Sequence, residues 1–205
     1  LTAAAAAAEF RKTKYTGISS AADKAASAML RGARGNSGVI LSLLFRGISK
    51  RLKGLEQASS LELAEAMCDG VDAAYKAVMK PAEGTILTVS RVATSAALEM
   101  AKADSDMTHV LAYAIELGRD ALARTIDQNP VLKRAGVVDA GGKGYLIMLE
   151  AMLGSLLGKV HSSEKGVSAE DEDEHHDAFG VFDSSEIEFA YDTVFIVRRT
   201  TDKPL

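Results

Sequence analysis

Three glycine-rich turns, each followed directly by an apolar run with helical spacing, constrain the fold of this chain more than any other feature. They lie at residues 32–38, 80–85 and 138–144. The start of a helix leaves backbone N–H groups unpaired at the positive end of the helix dipole, so each turn is a potential anion site. One such turn would be weak evidence for a ligand site. Three turns at the same end of one molecule are much stronger evidence.

The spacing of apolar residues predicts helices over most of the chain. Ser59 followed by Glu62 is typical of a capping box, and Leu61 is among the predicted buried positions of the helix that it starts. Lys80-Pro81 ends that helix, since the residue before proline avoids the α region. The predicted helices cover about residues 2–10, 20–30, 37–52, 60–79, 85–103, 106–126 and 142–157, with a short segment at 131–135.

The directions of these helices follow from the short loops between them. Short connections favour antiparallel neighbours. The helices that start near residues 37, 85 and 142 then point the same way, and their N-termini meet on one rim of the molecule. The same alternation places Leu1 on that rim.

Composition supports an all-α antiparallel bundle. Hydrophobic residues make up 47% of the 205 residues, whereas aromatic residues make up only 5% and tryptophan is absent. Abundant alanine favours closely packed helices over a β-rich fold. The chain has no initiator methionine and opens inside a predicted helix, so we expect it to be a fragment of a longer protein.

Charge and cysteine content limit the partners and the compartment. A net charge of −4 without a long basic cluster gives no reason to expect a nucleic-acid surface. No apolar stretch reaches membrane-spanning length, and no signal-peptide pattern opens the chain. The single Cys68 excludes an intrachain disulfide. We therefore expect a cytoplasmic protein.

Composition changes divide the chain into three parts. Residues 1–159 form the predicted helical domain, and residues 160–185 form an acidic linker that contains Glu170 and Glu174 at the ends of an uninterrupted acidic run. In residues 186–205, apolar side chains alternate with the period of a β-strand. One strand cannot fold alone, so this segment is predicted to begin a truncated second domain.

The three turns carry groups that suit an anion. Glycines allow close approach of the backbone, and Asn36 and Ser37 can donate hydrogen bonds. Glu83 and Asp139 precede helices, where a carboxylate either contacts a ligand or only caps the helix. Thr85 likewise offers a hydroxyl to a phosphate or to its own helix. Taken one at a time, each feature is explained by capping alone.

Three segments contain the glycine-rich turns: 32–42 (Gly-Ala-Arg-Gly-Asn-Ser-Gly-Val-Ile-Leu-Ser), 80–88 (Lys-Pro-Ala-Glu-Gly-Thr-Ile-Leu-Thr) and 135–144 (Ala-Gly-Val-Val-Asp-Ala-Gly-Gly-Lys-Gly). They resemble the three signature segments of the ATP-binding subunit of bacterial fatty acid kinase. Its N-terminal domain is similar to the L subunit of dihydroxyacetone kinase. The resemblance covers residues 1–157. Residues 189–197 also resemble the entry strand of that family's α/β middle domain, although Ala190, Asp192 and Val194 depart from the usual phrase.

The resemblance implies an eight-helix barrel-like bundle, of which the first helix is missing here. It implies ATP or ADP at one end, with Mg²⁺ held by aspartates of an Asp-Gly-Asp-Thr-Gly-Thr-Asn-Met segment expected upstream of Leu1. No catalytic or metal-binding residue is therefore predicted within this chain, and the fragment alone is expected to be inactive. The implied nucleotide-binding residues are Gly35, Asn36, Ser37, Gly38, Glu83, Gly84, Thr85, Asp139, Gly141 and Gly142.

The implied activity is phosphorylation of a fatty acid to an acyl phosphate, with the acid presented by a fatty-acid-binding carrier protein of the DegV-like type. A homodimer formed through the parent chain is a further possible assembly. Two other functions stay open. One is a dihydroxyacetone or triose kinase subunit, and the other is a non-catalytic domain that binds nucleotide and mediates an interaction.

Overall fold

A computed structural model describes residues 1–12 and 14–159 of the chain. The predicted all-helical bundle is confirmed. The predicted acidic linker and the predicted strand of the second domain lie outside the described residues, so both stay predictions. The described part forms eight helices: α1 (Thr2–Lys12), α2 (Ile18–Arg31), α3 (Gly35–Arg51), α4 (Ser60–Ala77), α5 (Ile86–Ala103), α6 (Met107–Gln128), α7 (Pro130–Ala135) and α8 (Ala140–Leu156).

The start of α4 follows the local chemistry of its sequence. Ser59 Oγ accepts from the Glu62 N–H at 3.3 Å, and Glu62 Oε2 accepts from the Ser59 N–H at 2.8 Å, which confirms the predicted capping box. The Ser59 N–H and the Ser59 hydroxyl both donate to Glu62 Oε2, and these two hydrogen bonds lower the pKa of Glu62. Leu61, which was predicted to be buried, is 37% exposed. The buried stripe of α4 instead passes through Ala64, Met67 and Val71, at the i, i+3, i+7 spacing of one helix face.

Small residues set the distance between neighbouring helices. A Cβ placed on Gly47 of α3 would lie 2.5 Å from the Cα of Gly70 on α4, and one on Gly70 would lie 2.5 Å from the carbonyl oxygen of Leu44. Helices α3 and α4 therefore touch backbone to backbone. Helix α5 has ten buried residues, more than any other described helix, including Ala93 and Ala97. It forms the centre of the alanine-rich core.

None of the helices in residues 1–12 and 14–159 combines the length and apolar character needed to cross a membrane.

The exposed pair of Asp104 and His109 gives a pH-dependent prediction at the start of α6. His109 Nδ1 lies 2.7 Å from Asp104 Oδ2, and this hydrogen bond is the main cause that raises the pKa of His109 above 6.5. Folding raises this pKa and lowers that of Asp104, so the pair stabilises the fold fully between pH 3.8 and 6.5. The effect is lost as pH rises through the folded-state value of His109 or falls through that of Asp104. An NMR titration should show the raised value, and Asp104→Asn should reduce it. An unshifted His109 in the native chain would contradict the pair.

Candidate functional site

The three glycine-containing turns meet at one end of the bundle. A Cβ placed on Gly141, in the third turn, would lie 2.9 Å from Ser37 Oγ in the first turn. The carboxylate of Asp139 faces the backbone N–H of Ile86, which opens α5 after the second turn. The N-termini of α3, α5 and α8 are thus neighbours, as the helix directions predicted. Capping and packing contacts hold the three helix starts together at this end.

The N-terminus of α3 differs from those of the later helices. Its N-cap residue, Arg34, makes no side-chain hydrogen bond to the helix, and the first turn contains no acidic residue. Gly35 has φ +63° with no atom near its Cβ position, and Asn36 and Ser37 are exposed. Every helix from α4 onward has instead a side-chain cap: Ser59, Thr85, Asp106, Asn129 and Asp139. Of the three helix starts that meet at this end, only that of α3 therefore lacks a side-chain cap and leaves room for an outside acceptor.

Two glycines of the first turn serve packing against α1. A Cβ on Gly32 would lie 2.4 Å from Ala5 Cβ, and one on Gly38 would lie 2.5 Å from Thr2 Oγ1. The contact with Thr2 also places the start of α1 on the rim predicted for Leu1. Packing thus explains why position 38 is glycine, while its contact with nucleotide stays a prediction.

The second turn is held by its own side chains. Thr85 Oγ1 donates to the Ala82 carbonyl at 2.8 Å and accepts from the Leu87 N–H at 3.3 Å. Gly84 has φ +75°, and a Cβ there would lie 2.9 Å from the Cβ of Gln128 at the end of α6. The sequence left open whether the Thr85 hydroxyl contacts a phosphate or caps its own helix. In the structure it caps α5. Gly84 lets the turn pack against α6.

Glu83 is the acceptor of a network that sequence reasoning missed. Thr88 Oγ1 donates to Glu83 Oε2 at 2.7 Å, and Arg91 donates to the same oxygen at 2.9 Å. The Tyr75 hydroxyl donates to Oε1 at 3.1 Å. The hydrogen bond from Thr88 is the main cause that lowers the pKa of Glu83. Thr88 Oγ1 also accepts from the Gly84 N–H at 2.8 Å, so this network fixes the backbone of the second turn.

No local pattern in the sequence reveals the partners of Glu83. Arg91 lies in the second turn of α5 and Tyr75 lies near the end of α4, and both resemble ordinary helix residues in the sequence. The spacing from Glu83 to Arg91 corresponds to no capping motif. Only the packing of α4 against α5 brings the three side chains together.

Asp139 connects the third turn to the second. Its Oδ2 accepts from the Gly142 N–H at 2.6 Å, and the N–H groups of Gly141 and Ile86 face the same carboxylate. Its own N–H donates to the hydroxyl of the buried Thr125 at 3.1 Å. Burial is the main cause that raises the pKa of Asp139, against the lowering effect of these N–H groups. The Asp139 carboxylate therefore lies against backbone N–H groups at the N-termini of both α8 and α5.

Gly142 has a packing role that differs from that of Gly141. A Cβ on Gly142 would lie 2.7 Å from Val89 Cγ2, inside the core. Gly141 faces Ser37 instead, at the junction of the first and third turns. Of the predicted site residues in α8, Gly141 is thus the one next to the uncapped start of α3.

A phosphate group would fit this arrangement at the start of α3. The exposed N–H groups there lack a side-chain acceptor, and the Ser37 hydroxyl and the open backbone at Gly35 lie beside them. A Mg²⁺ ion does not fit equally well. Within residues 1–12 and 14–159, no group of three or more His, Cys, Asp or Glu side chains is arranged to hold a metal ion.

Comparison with known proteins identifies the family. Residues 1–154 match the family model described as the DAK2 domain. The chain belongs to the DAK2 domain family. This family is related to dihydroxyacetone kinase and binds adenine nucleotides. The match confirms the likeness to a dihydroxyacetone kinase L subunit that the three signature segments predicted.

Two relatives show how much of a longer protein this chain matches. Protein YloV of Bacillus subtilis is 45% identical over 177 residues, which cover 83% of this chain and 32% of YloV. An uncharacterized protein of Staphylococcus saprophyticus is 45% identical over 172 residues, again 83% of this chain and 31% of the relative. The chain therefore spans less than a third of the length of these relatives.

Proposed function

We propose that this chain is the ATP-binding domain of a fatty acid kinase. In that reaction the γ-phosphoryl group leaves ATP and bonds to a carboxylate oxygen of the fatty acid, which gives an acyl phosphate and ADP. A carrier protein of the DegV-like type would present the acid. The observation that carries the proposal is the uncapped N-terminus of α3, at the junction of three turns in a member of a nucleotide-binding, kinase-related family.

Each group of the site has a separate task under this proposal. The N–H groups and side chains of Asn36 and Ser37 would bind phosphate oxygens at the positive end of α3. Gly35 would let the nucleotide approach the backbone. Asp139 and Glu83 would hold α5 and α8 in place around that site. Phosphoryl transfer depends on such positioning and on cations that neutralise charge. The Mg²⁺ ligands would lie outside the described residues.

Nucleotide binding by this chain is the first test. We expect ATP to bind weakly and nearly independently of Mg²⁺, because the turns are present while the described residues offer no metal cluster. Calorimetric titration of ATP with and without Mg²⁺ measures this. Strong binding that requires Mg²⁺ would contradict the expectation and would indicate a metal site within the chain.

Two substitutions in the intact protein test the site itself. Asn36→Ala and Ser37→Ala should each weaken ATP binding by about tenfold or more, since a hydrogen bond to a charged group contributes about 1.5–3 kcal/mol. Both side chains are exposed, so thermal unfolding should be unchanged. Ser105→Ala, in the exposed connection between α5 and α6, is the matched control. Unchanged ATP affinity in the double variant would mean that the first turn is only a helix start.

Substrate assays separate the proposed activity from its alternatives. A fatty acid kinase should convert ATP to ADP only when a fatty acid and its carrier are both present. A triose-type kinase should instead turn over with dihydroxyacetone and no carrier. ATP binding without turnover on either substrate would favour the non-catalytic interaction domain.

A further inference from the structure

A cavity lined mostly by polar and charged residues lies where α3 ends and α2 begins, at the end of the bundle away from the three turns. Its volume is about 790 Å³, within the size range of small-molecule sites. Basic side chains of Arg46, Lys50 and Lys53 line it, together with the carboxylates of Asp23 and Glu56. Asn36 and Lys50 are separated by 14 residues of α3, roughly 21 Å at the helical rise of 1.5 Å per residue. This cavity is therefore distinct from the proposed nucleotide site.

The basic residues that line this cavity outnumber its carboxylates by three to two, and the two on α3 lack an ion pair within the described part of the chain. Arg51, Arg91 and Arg119 each form an ion pair with a carboxylate. Within residues 1–12 and 14–159, Arg46 and Lys50 form none. These two lie four residues apart on α3, and like charges at that spacing destabilise a helix. An anionic ligand would remove this repulsion.

The walls of the cavity are fixed by backbone hydrogen bonds. The connection after α3 turns back onto the start of α2, where the N–H groups of Ile18 and Ser19 donate to the carbonyls of Glu56 and Leu55 at 3.0 and 3.1 Å. The Gly54 N–H donates to Ser19 Oγ at 2.9 Å, which leaves the Ser19 hydroxyl proton available. The cavity is thus formed before any ligand arrives, so binding would need little reorganisation.

We propose that this cavity binds a phosphate monoester. The three basic side chains would form charge-assisted hydrogen bonds with the phosphate oxygens, and the Ser19 hydroxyl would donate to them. The carboxylates of Asp23 and Glu56 would accept hydrogen bonds from hydroxyl groups on the rest of the ligand. A free metabolite and a lipid headgroup share this chemistry. The proposal is independent of the function proposed for the three turns.

The dipole of α3 explains only some of the basic residues that line the cavity. Basic residues in the last turn of a helix interact favourably with its dipole, and Lys50 lies in the last turn of α3. Arg46 lies one turn earlier and Lys53 lies beyond the helix. The dipole does not explain why these three side chains border one preformed polar cavity.

NMR titration with glycerol 3-phosphate tests the proposal. We expect the amide signals of Ser19 and Gly54 to shift and saturate, whereas glycerol alone should have no effect. Signals of Asn36 and Ser37 report the nucleotide site separately, so the two proposals can fail independently. Vesicles of phosphatidic acid, compared with phosphatidylcholine, test the lipid source. Absence of response at Ser19 and Gly54 to both glycerol 3-phosphate and phosphatidic acid would overturn the proposal.

Charge variants give the second measurement. Arg46→Gln with Lys50→Gln should weaken binding of the phosphate monoester by at least about tenfold. Denaturant unfolding of this variant should occur at a similar concentration, since removal of the repulsive pair offsets loss of the favourable interaction between Lys50 and the helix dipole. Lys53→Gln, outside the helix, should weaken binding in the same direction. Lys102→Gln, on the exposed surface of α5, makes the same single charge change as Lys53→Gln and is its control. Equal affinity in the cavity variants and the control would overturn the proposal.

Discussion

Replacing Gly47 by valine should lower the free energy of unfolding by about 3 kcal/mol, the upper end of the usual cost of overpacking. A Cβ at this position would meet the Cα of Gly70 at 2.5 Å and the carbonyl oxygen of Asp69 at 2.7 Å. Both are backbone atoms, so no side chain can rotate away. Helices α3 and α4 would have to separate. Urea unfolding followed by circular dichroism measures the change.

Gly144→Val is the matched control for this prediction. Gly144 lies in α8 with no atom within 4 Å of its Cβ position. The free energy of unfolding should therefore change by no more than about 0.5 kcal/mol, as for most exposed substitutions. Equal effects of valine at positions 47 and 144 would mean that α3 and α4 are not in backbone contact.

The helices could be predicted from the sequence because they depend on local signals. Apolar spacing, the Ser59–Glu62 box and the Lys80-Pro81 pair each act within one or two turns. Burial was less predictable at helix starts. Leu61 follows the cap of α4 and is apolar, yet it lies off the stripe that packs on the core, and only the direction of α4 relative to its neighbours decides this.

The meeting of the three turns at one end could also be predicted from the sequence. If each short connection reverses the chain, counting the connections gives the direction of every helix. The contacts between side chains within the site could not be predicted in this way. Ser37 and Gly141 are far apart along the chain, and their approach depends on how closely α3 and α8 pack. The partners of Glu83 depend in the same way on the packing of α4 against α5. Which residues bind nucleotide remains a prediction, because capping explains most of the contacts.

Asp139→Ala should lower the free energy of unfolding by about 2 kcal/mol, at the high end for loss of an N-cap. The reason is that one carboxylate serves two helices. It accepts from the Gly142 N–H at 2.6 Å in α8 and faces the Ile86 N–H of α5. Alanine would leave both N–H groups without this acceptor. In the intact protein, ATP affinity should fall as well if the function proposed for the three turns is correct.

Asp139→Asn separates the hydrogen bond from the charge. An asparagine side chain already caps α7, where Asn129 Oδ1 accepts from the Val131 N–H at 3.0 Å, so this variant should retain most of the cap. Because burial raises the pKa of Asp139 above 3.8, ionising it opposes folding as pH rises between its unfolded and folded values. Asp139→Asn should therefore lose less stability than the wild type over that interval. Amide hydrogen exchange supplies the local readout. Asp139→Ala should speed exchange at both Ile86 and Gly142, and a change confined to Gly142 would show that Asp139 caps α8 alone.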